Sequence, residues 1–270
     1  MIFLVVGDLH YDLRKFDWVT AAAPATDGVI MVGDHMEIAS TVARPTQSVL
    51  IDKYFKRIRA ETALIVSSGN HDLDTKDTHG EMTTRWLKKA RRHNVPTDEE
   101  RFALGNAVFT VCPWIDGEHQ RKAQQARFEQ DAATRRDLWI WVYHAPPDAS
   151  ATSFGRGKSW GDSWLTEWIN TFHPDIVLTG HVHEAPFSKG GSWVDRMGHT
   201  WIFNAGHQHG PFPSFVLIDT QEKTATWHSL AGTQKVRLDA EPGTGAVTAE
   251  EASLRDLPGA IVHAAQRLAS

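Results

Sequence analysis

The chain has 270 residues, of which 41% are hydrophobic, and its net charge is −5 when histidine is neutral. The hydrophobic content is sufficient for a sizeable core and excludes wholesale disorder. The negative net charge argues against a protein that coats nucleic acid. The single cysteine, Cys112, excludes both an intrachain disulfide and a cysteine-based zinc site.

The first part of the chain alternates short apolar runs with longer amphipathic stretches. Residues 2–6 form a continuous apolar run, as in a strand that is covered on both faces. This run lacks the basic leader and cleavage site of a signal peptide, and no run approaches the roughly 18 residues of a membrane span. We therefore expect a cytoplasmic protein without a membrane segment. Further strands are predicted at 29–32, 63–66, 138–143 and 176–178, and helices at 13–23, 46–60, 81–93, 118–136 and 163–172.

The remaining strands are predicted to pair in hairpins. Residues 102–104 and 107–111 flank Gly105-Asn106, where both residues tolerate positive φ. Successive short strands follow between residues 193 and 230, so the α/β alternation finishes in an antiparallel region. We predict one domain over residues 1–235. Residues 236–270 are predicted to contain a linker at 241–245 and a C-terminal helical tail that opens with a capping box at 248–251.

Five polar clusters stand directly after predicted strands. The carboxyl ends of the strands in an open α/β sheet form the ligand crevice, so side chains from distant segments converge there. Glycines precede four of the clusters and suit a sharp turn from strand to loop. The clusters are Gly7-Asp8-Leu9-His10, Gly33-Asp34-His35-Met36-Glu37, Gly69-Asn70-His71-Asp72, Tyr143-His144 and Gly180-His181-Val182-His183.

The residue types in these clusters fit a site for two metal ions. Carboxylate oxygen, imidazole nitrogen and amide oxygen together bind Mn²⁺, iron (Fe²⁺ or Fe³⁺) or Zn²⁺. A carboxylate can bridge two such ions, which can lower the pKa of a shared water and yield a hydroxide nucleophile near neutral pH. The ions would also supply the local positive charge that an anionic phosphate needs on a chain of net negative charge.

The order of the clusters resembles that of the calcineurin-like metallophosphoesterase superfamily. Its pattern is D-x-H, GD-x-x-[DE], GNH[DE], H and GHxH, and all five occur in order within residues 2–205. The resemblance implies an α/β fold (α+β, four-layer) in which helices flank a central mixed β-sandwich. It also implies hydrolysis of phosphoric esters with two divalent metal ions. By position, Asp8, His10 and His183 would ligate the first ion, Asn70, His144 and His181 the second, and Asp34 would bridge both.

Two further residues take catalytic roles from the resemblance. His71 matches a histidine that contacts the phosphoryl oxygen or protonates the leaving group, and an alkoxide leaves badly without a proton. Glu37 matches an acid that hydrogen-bonds this histidine, so we expect it to orient His71 and raise its basicity. On this hypothesis, Glu37→Gln lowers kcat and leaves the metal content normal.

One departure from the pattern narrows the substrate class. Protein serine/threonine phosphatases of the superfamily carry Arg-Gly after the second acid and use GNHE, whereas this chain has Ile38-Ala39 and Asp72. Without the arginine that clamps a phosphomonoester dianion, the chain looks more like small bacterial-type phosphodiesterases, including those that act on cyclic nucleotides. A phosphomonoesterase, a nuclease and a non-catalytic metal-binding interaction module remain as alternatives, and the oligomeric state stays open.

Four residues outside the motifs are candidates for substrate contact. The loop with Arg156 and Lys158 follows His144 closely and could be a substrate-binding lid or an ordinary mobile loop. His207 and His209 follow a predicted strand and could support the ligands or touch the substrate of a small-molecule phosphoesterase.

Two remaining patterns have ordinary structural interpretations. The basic run 88–93 suits a solvated helix end. It could also grip a nucleic-acid backbone, which we do not favour. The helical spacing of Trp160, Trp164 and Trp168 favours core positions over base stacking.

Overall fold

The structure, a computed structural model, describes residues 1–134, 138–240, 247–259, 261, 262 and 264. Its α-helices are α1 (Leu13–Ala22), α2 (Arg44–Glu61), α3 (Glu118–Ala133) and α4 (Ser163–Phe172). The strands of the first half are β1 (Ile2–Val6), β2 (Gly28–Val32), β3 (Ala63–Ser67), β4 (Thr75–Lys76), β5 (Met82–Thr83), β6 (Arg101–Leu104), β7 (Ala107–Val111) and β8 (Leu138–Val142). Those of the second half are β9 (Phe154–Gly155), β10 (Lys158–Ser159), β11 (Ile176–Thr179), β12 (Val194–Met197), β13 (Thr200–Asn204), β14 (Phe215–Asp219), β15 (Thr224–Ser229), β16 (Gly232–Arg237) and β17 (Glu250–Glu251).

Most of these strands belong to two mixed sheets. The first sheet has the order β17-β16-β15-β14-β1-β2-β3, and the second has the order β12-β13-β11-β8-β7-β6. In the first sheet β1, β2 and β3 are parallel, and β14 to β17 pair antiparallel. In the second sheet β7, β8, β11 and β13 are parallel, and β6 and β12 add antiparallel edges. Together with the flanking helices, these mixed sheets confirm the predicted fold class.

Alternate residues of β1 enter two different cores. Phe3 and Val5 lie in a buried cluster with residues of the second sheet, such as Phe109. Leu4 and Val6 lie in a second cluster with residues of α1 and α2. A third cluster packs α3 and α4 against the second sheet. Because successive side chains point to opposite faces of a strand, the clusters stack the molecule into helix, sheet, sheet and helix layers.

The helix predicted at 81–93 is wrong in its first half. The structure has β5 at this point, followed by a 3₁₀ helix over Leu87–His93. Carboxylates of neighbouring loops take the backbone N–H groups of this segment: Met82 N donates to Asp116 at 2.7 Å, and Arg85 N, which an α-helix from residue 81 would pair with the carbonyl of Glu81, donates to Asp74 at 2.6 Å. None of the described helices combines the length and the apolar character needed to cross a bilayer.

The described parts of the segment after residue 235 contact the first sheet and the cluster around α1 and α2. Glu250–Glu251 pair with β16, where the capping-box pattern predicted the start of a helix. The open edge of β16 explains this difference, because its backbone groups need partners. Leu257, Ile261 and Ala264 are buried in the cluster that contains α1 and α2. The predicted linker at 241–245 lies outside the described residues, and the domain boundary at 235 stays a prediction.

A buried carboxylate, Asp98, holds the residue that follows β3. Asp98 Oδ1 accepts a hydrogen bond from Ser68 N at 2.7 Å. Burial raises the pKa of Asp98 to about 7, whereas aspartate in an unfolded chain titrates near pKa ~3.9. Between these values the folded protein keeps a proton that the unfolded chain has lost, so stability falls as the pH rises.

We expect Asp98→Asn to remove this pH dependence, because the amide cannot titrate. Urea unfolding of both proteins in EDTA, near pH 4.5 and near pH 7.5, measures it. The free energy of unfolding of the wild type relative to the variant should fall by about 1 kcal/mol or more as the pH rises. A difference that stays constant between the two pH values would contradict the raised pKa.

Candidate metal centre

All seven predicted ligands lie together at the carboxyl ends of parallel strands. They follow β1 (Asp8, His10), β2 (Asp34), β3 (Asn70), β8 (His144) and β11 (His181, His183). Strands from both sheets contribute, so the centre lies at one edge of the sandwich. Segments far apart in sequence meet there because parallel strands present the same ends to one crevice.

The first group of donor atoms comes from Asp8, His10, Asp34 and His183. Their candidate ligand atoms all lie within 4.8 Å of one another. His183 Nε2 is 3.2 Å from Asp8 Oδ1 and 3.0 Å from His10 Nε2. Two imidazole nitrogens and two carboxylates thus face one small volume.

The second group of donor atoms shares Asp34 with the first. Candidate ligand atoms of Asp34, His144 and His181 also lie within 4.8 Å of one another. His144 Nε2 is 3.2 Å from Asp34 Oδ2. The amide oxygen of Asn70 lies 2.9 Å from His181 Nδ1, which brings it to the same group.

The chemistry of these donors fits divalent cations. His144 Nδ1 donates to the carbonyl of Val32 at 2.7 Å, so Nε2 is the nitrogen that becomes available to a cation when the imidazole is neutral. Among the residues that the structure describes, this buried Nε2 has no hydrogen-bond partner. A buried nitrogen lone pair beside a carboxylate is a metal-ligand arrangement, and the oxygen and nitrogen set suits manganese, iron or zinc.

The pKa values reflect the crowding of buried acids and imidazoles. Burial opposes ionisation of Asp34 most strongly, but the charge and close contact of His144 and the charge of His71 together outweigh it and lower the pKa of Asp34 to about 2. Burial likewise opposes the charge on His144, but Asp34 raises the pKa of His144 to about 9. Burial, and then the charge of His144, lower the pKa of His181 to about 4. A cation would replace the proton on His144, because metal binding requires neutral imidazole.

Four of the predicted ligands have left-handed backbone conformations. The φ angles are 53° at Asp8, 47° at His10, 51° at Asp34 and 66° at His181. Such conformations cost side-chain-bearing residues of order 1–3 kcal/mol each and concentrate at functional sites. The backbone of these loops therefore adopts strained conformations that bring the donor side chains together.

Two glycines let these loops approach each other. Gly33 has φ 73°, and a Cβ at this position would overlap the ring of His144 and the backbone nitrogen of Gly69. A Cβ on Gly69 would overlap the carboxylate of Asp34. The glycines before the clusters thus make room for the donor atoms, in addition to easing the turns.

Hydrogen bonds from two buried polar side chains hold the loops in place. Asp72 accepts from the backbone nitrogens of His35 at 3.0 Å, Met36 at 3.1 Å and Gly69 at 2.9 Å, which ties the second cluster to the third. Asn204 Nδ2 donates to the carbonyls of Gly180 and Val182, both at 3.1 Å, which fixes the loop of His181. Sequence analysis missed Asn204, although its position at the end of a strand was a signal.

His207 contacts two residues of the first donor group, Asp8 and His183. Its Nδ1 donates to the backbone carbonyl of Asp8 at 2.7 Å, and its ring stacks on His183 with centroids 4.8 Å apart. Burial, and then the charge of Lys15, lower the pKa of His207 to about 4. His209 meets His207 edge to face at 5.6 Å, which places it further from the donors.

A buried lysine, which sequence analysis missed, completes this support. Lys15 Nζ donates to the carbonyl of Gln208 at 2.8 Å and lies 3.4 Å from His207 Nδ1. Burial lowers the pKa of Lys15 to about 8. Lys15 belongs to the amphipathic helix α1, where a lysine normally faces solvent, so its position depends on tertiary packing.

A cavity of about 270 Å³ opens beside the second donor group. Its walls include Asn70, His71, His181 and Arg156. Arg156 forms a 2.6 Å ion pair with Glu184, which lines the same cavity. Of the two cations predicted to contact substrate, Arg156 therefore lies at the cavity.

Glu37 lies between two imidazoles. Its Oε1 is 3.9 Å from Nδ1 of His71, the predicted partner, and its Oε2 is 3.3 Å from Nδ1 of His10. Its Oε1 also accepts from Ala39 N at 2.7 Å. The nearer imidazole is thus that of His10, a member of the first donor group.

Two mixed sheets with a shared set of carboxylate and imidazole donors at one edge are an arrangement suited to binding divalent metals. The chain belongs to the calcineurin-like phosphoesterase family, whose model matches residues 1–185. The family resemblance drawn from the five motifs is thereby confirmed, and the chain is a hydrolase of phosphoric esters. No curated protein matches the sequence.

Several solved structures share the fold. The protein TT1561 of Thermus thermophilus is 15% identical, with 88% of this chain and 98% of that chain covered and a TM-score of 0.54. Purple acid phosphatase PPD1 from yellow lupin (Lupinus luteus) seeds is 14% identical, with 95% of this chain and 54% of that chain covered and a TM-score of 0.54. GAP50, the anchor in the inner membrane complex of Plasmodium, is 11% identical, with 100% and 95% covered and a TM-score of 0.50. At these identities the likeness concerns the fold alone.

Replacing Gly33 by alanine should remove bound metal and activity, because the new Cβ would displace His144 and the loop of Gly69. Gly198→Ala is the matched control: Gly198 also has positive φ, at 58°, but no described atom lies within 4 Å of its Cβ position. The control should lose only about 1–2 kcal/mol of stability through backbone strain. Elemental analysis of metal per chain distinguishes the two, and a normal metal content in Gly33→Ala would contradict the close-approach argument.

Proposed function

We propose that the chain is a phosphodiesterase that acts on small molecules with two divalent cations, drawn from manganese, iron and zinc. The observation that carries the proposal is that Asp34 is shared by two groups of donor atoms. Asp8, His10 and His183 would hold one cation, and Asn70, His144 and His181 the other. When bound, the cations supply the charge that lowers the pKa of a water and neutralises phosphoryl oxygens.

His71 is the proposed proton donor to the leaving group. Its side chain is one-quarter exposed and lines the cavity, and its Nε2 lies 3.9 Å from Asp34 Oδ2. Its backbone nitrogen donates to Asp34 Oδ1 at 2.9 Å, which fixes the loop that carries it. A histidine within reach of the departing oxygen can transfer its proton as the phosphorus–oxygen bond breaks.

The charges around the cavity favour a diester over a monoester. A monoester brings a second negative charge at neutral pH, and that charge needs a further cation. Arg156 is the arginine that lines the cavity in the described part of the chain, and the carboxylate of Glu184 beside it offsets its charge. A diester has one negative charge and needs no such cation.

The basic run at 88–93 offers little to a polymeric nucleic acid. Lys88 pairs with Glu99 at 2.9 Å, Arg91 with Glu100 at 3.0 Å, and Arg92 with Asp52 at 2.9 Å. Cations that already face carboxylates release few counterions on binding a phosphate backbone. These contacts, and a cavity of about 270 Å³, favour a small substrate over a nuclease substrate.

Turnover of bis(p-nitrophenyl) phosphate and p-nitrophenyl phosphate, with Mn²⁺ present, tests the proposal. We expect kcat/KM to be about tenfold or more higher for the diester, which corresponds to roughly 1.4 kcal/mol. Glu184→Gln should narrow this preference, because it removes the carboxylate that offsets Arg156. Asp34→Asn should abolish turnover of both esters. Preferred hydrolysis of the monoester by the wild type would refute the proposed diester specificity.

Glu37→Gln tests which imidazole Glu37 serves. Because Glu37 lies nearer His10, we expect metal affinity to fall about 10- to 100-fold, as for other partners of metal-ligating histidines. Titration of the metal-free protein with Mn²⁺, followed by calorimetry, measures this change. Unchanged metal affinity with a reduced kcat would instead assign Glu37 to His71, as the sequence hypothesis stated.

A further inference from the structure

A tryptophan forms part of the wall of the cavity that the donor groups also line. Trp160 lines the same cavity as Asn70, His71 and His181, and its side chain is 45% exposed. The core position predicted for it is wrong, whereas Trp168 of the same trio is buried. Trp160 precedes α4 and follows the β9–β10 hairpin, so the helical spacing did not apply to it.

The Trp160 ring is held in a fixed orientation. Its Nε1 donates to the carbonyl of Gly155 at 2.9 Å, and its backbone nitrogen donates to Ser153 O at 2.9 Å. Lys158 Nζ lies 3.6 Å from the ring centroid, so it covers one face of the indole. These contacts immobilise the ring before any ligand arrives, which lowers the entropic cost of binding to it.

The hairpin that precedes Trp160 is itself anchored. Ser159 Oγ donates to Asp148 at 2.6 Å, and Arg156 of the turn is paired with Glu184. A rigid, exposed aromatic face beside a phosphate-binding site matches the requirement for stacking a planar ring. An aliphatic ester group would gain little from such a face.

We propose that Trp160 stacks the base of a nucleoside whose phosphate occupies the metal centre, on the indole face that Lys158 leaves open. This inference rests on the proposed function and narrows its substrate class to nucleotide diesters. The cation on the far face of the indole adds to its attraction for an electron-rich ring. Lys158 thus acts on substrate through Trp160 and serves as a positioning residue.

Two ligands that differ by the base alone provide the test: adenosine 5′-phosphate and ribose 5-phosphate. Calorimetric titration of the Mn²⁺-loaded protein should give a Kd for adenosine 5′-phosphate about tenfold or more below that for ribose 5-phosphate. Trp160→Leu should bring the ratio of the two constants to about 1, and Trp160→Phe should retain part of it. Trp164→Leu is the matched control. Trp164 belongs to α4, its ring is covered by Arg121 of α3, and it is not part of the lining of this cavity.

A wild-type ratio near 1, or an unchanged ratio in Trp160→Leu with native circular dichroism, would overturn the stacking proposal. Equal loss of the ratio in Trp164→Leu would also overturn it, since the effect would then be one of folding. Turnover of bis(p-nitrophenyl) phosphate by the same preparations is measured separately. If turnover is present without base preference, stacking alone fails, and if base preference is present without turnover, the proposed phosphodiesterase activity fails.

Discussion

The centre depends on how closely the loops after β2 and β3 approach the end of β8. The carboxylate of Asp34 comes within 3.2 Å of His144 only because Gly33 and Gly69 leave the space between them free of side chains. Every other donor is then arranged around this contact, since Asp34 belongs to both groups. A methyl group at either glycine would separate strands that must share one crevice.

This close approach concentrates charge where burial makes it costly. Two buried carboxylates, Asp8 and Asp34, are compensated in the described protein by imidazoles from other strands. The left-handed backbone of the ligand loops adds strain, which the hydrogen bonds of Asp72 and Asn204 offset. The backbone strain is therefore concentrated in the loops that carry the proposed metal ligands, as expected when strain serves a site.

The proposed metal ligands and the residues proposed to select a substrate lie in different parts of the fold. The donors lie in loops directly after buried strands of the two main sheets. The features that would select a substrate, Trp160 and the Arg156–Glu184 pair, lie on a hairpin and a loop outside the sheets. Loops tolerate change better than strands, so this division lets one metal chemistry serve different esters.

The sequence by itself determined the order of the strands' polar ends, and with it the residues that meet at the centre. This was possible because parallel strands end at a common edge of the sheet. A motif that directly follows such a strand therefore lies at that edge. Only the tertiary structure decided four other features. These are the partner of Glu37, the burial of Lys15, the exposure of Trp160 and the pairing of Glu250–Glu251 with β16. Each depends on contacts between segments distant in the chain, which no local periodicity encodes.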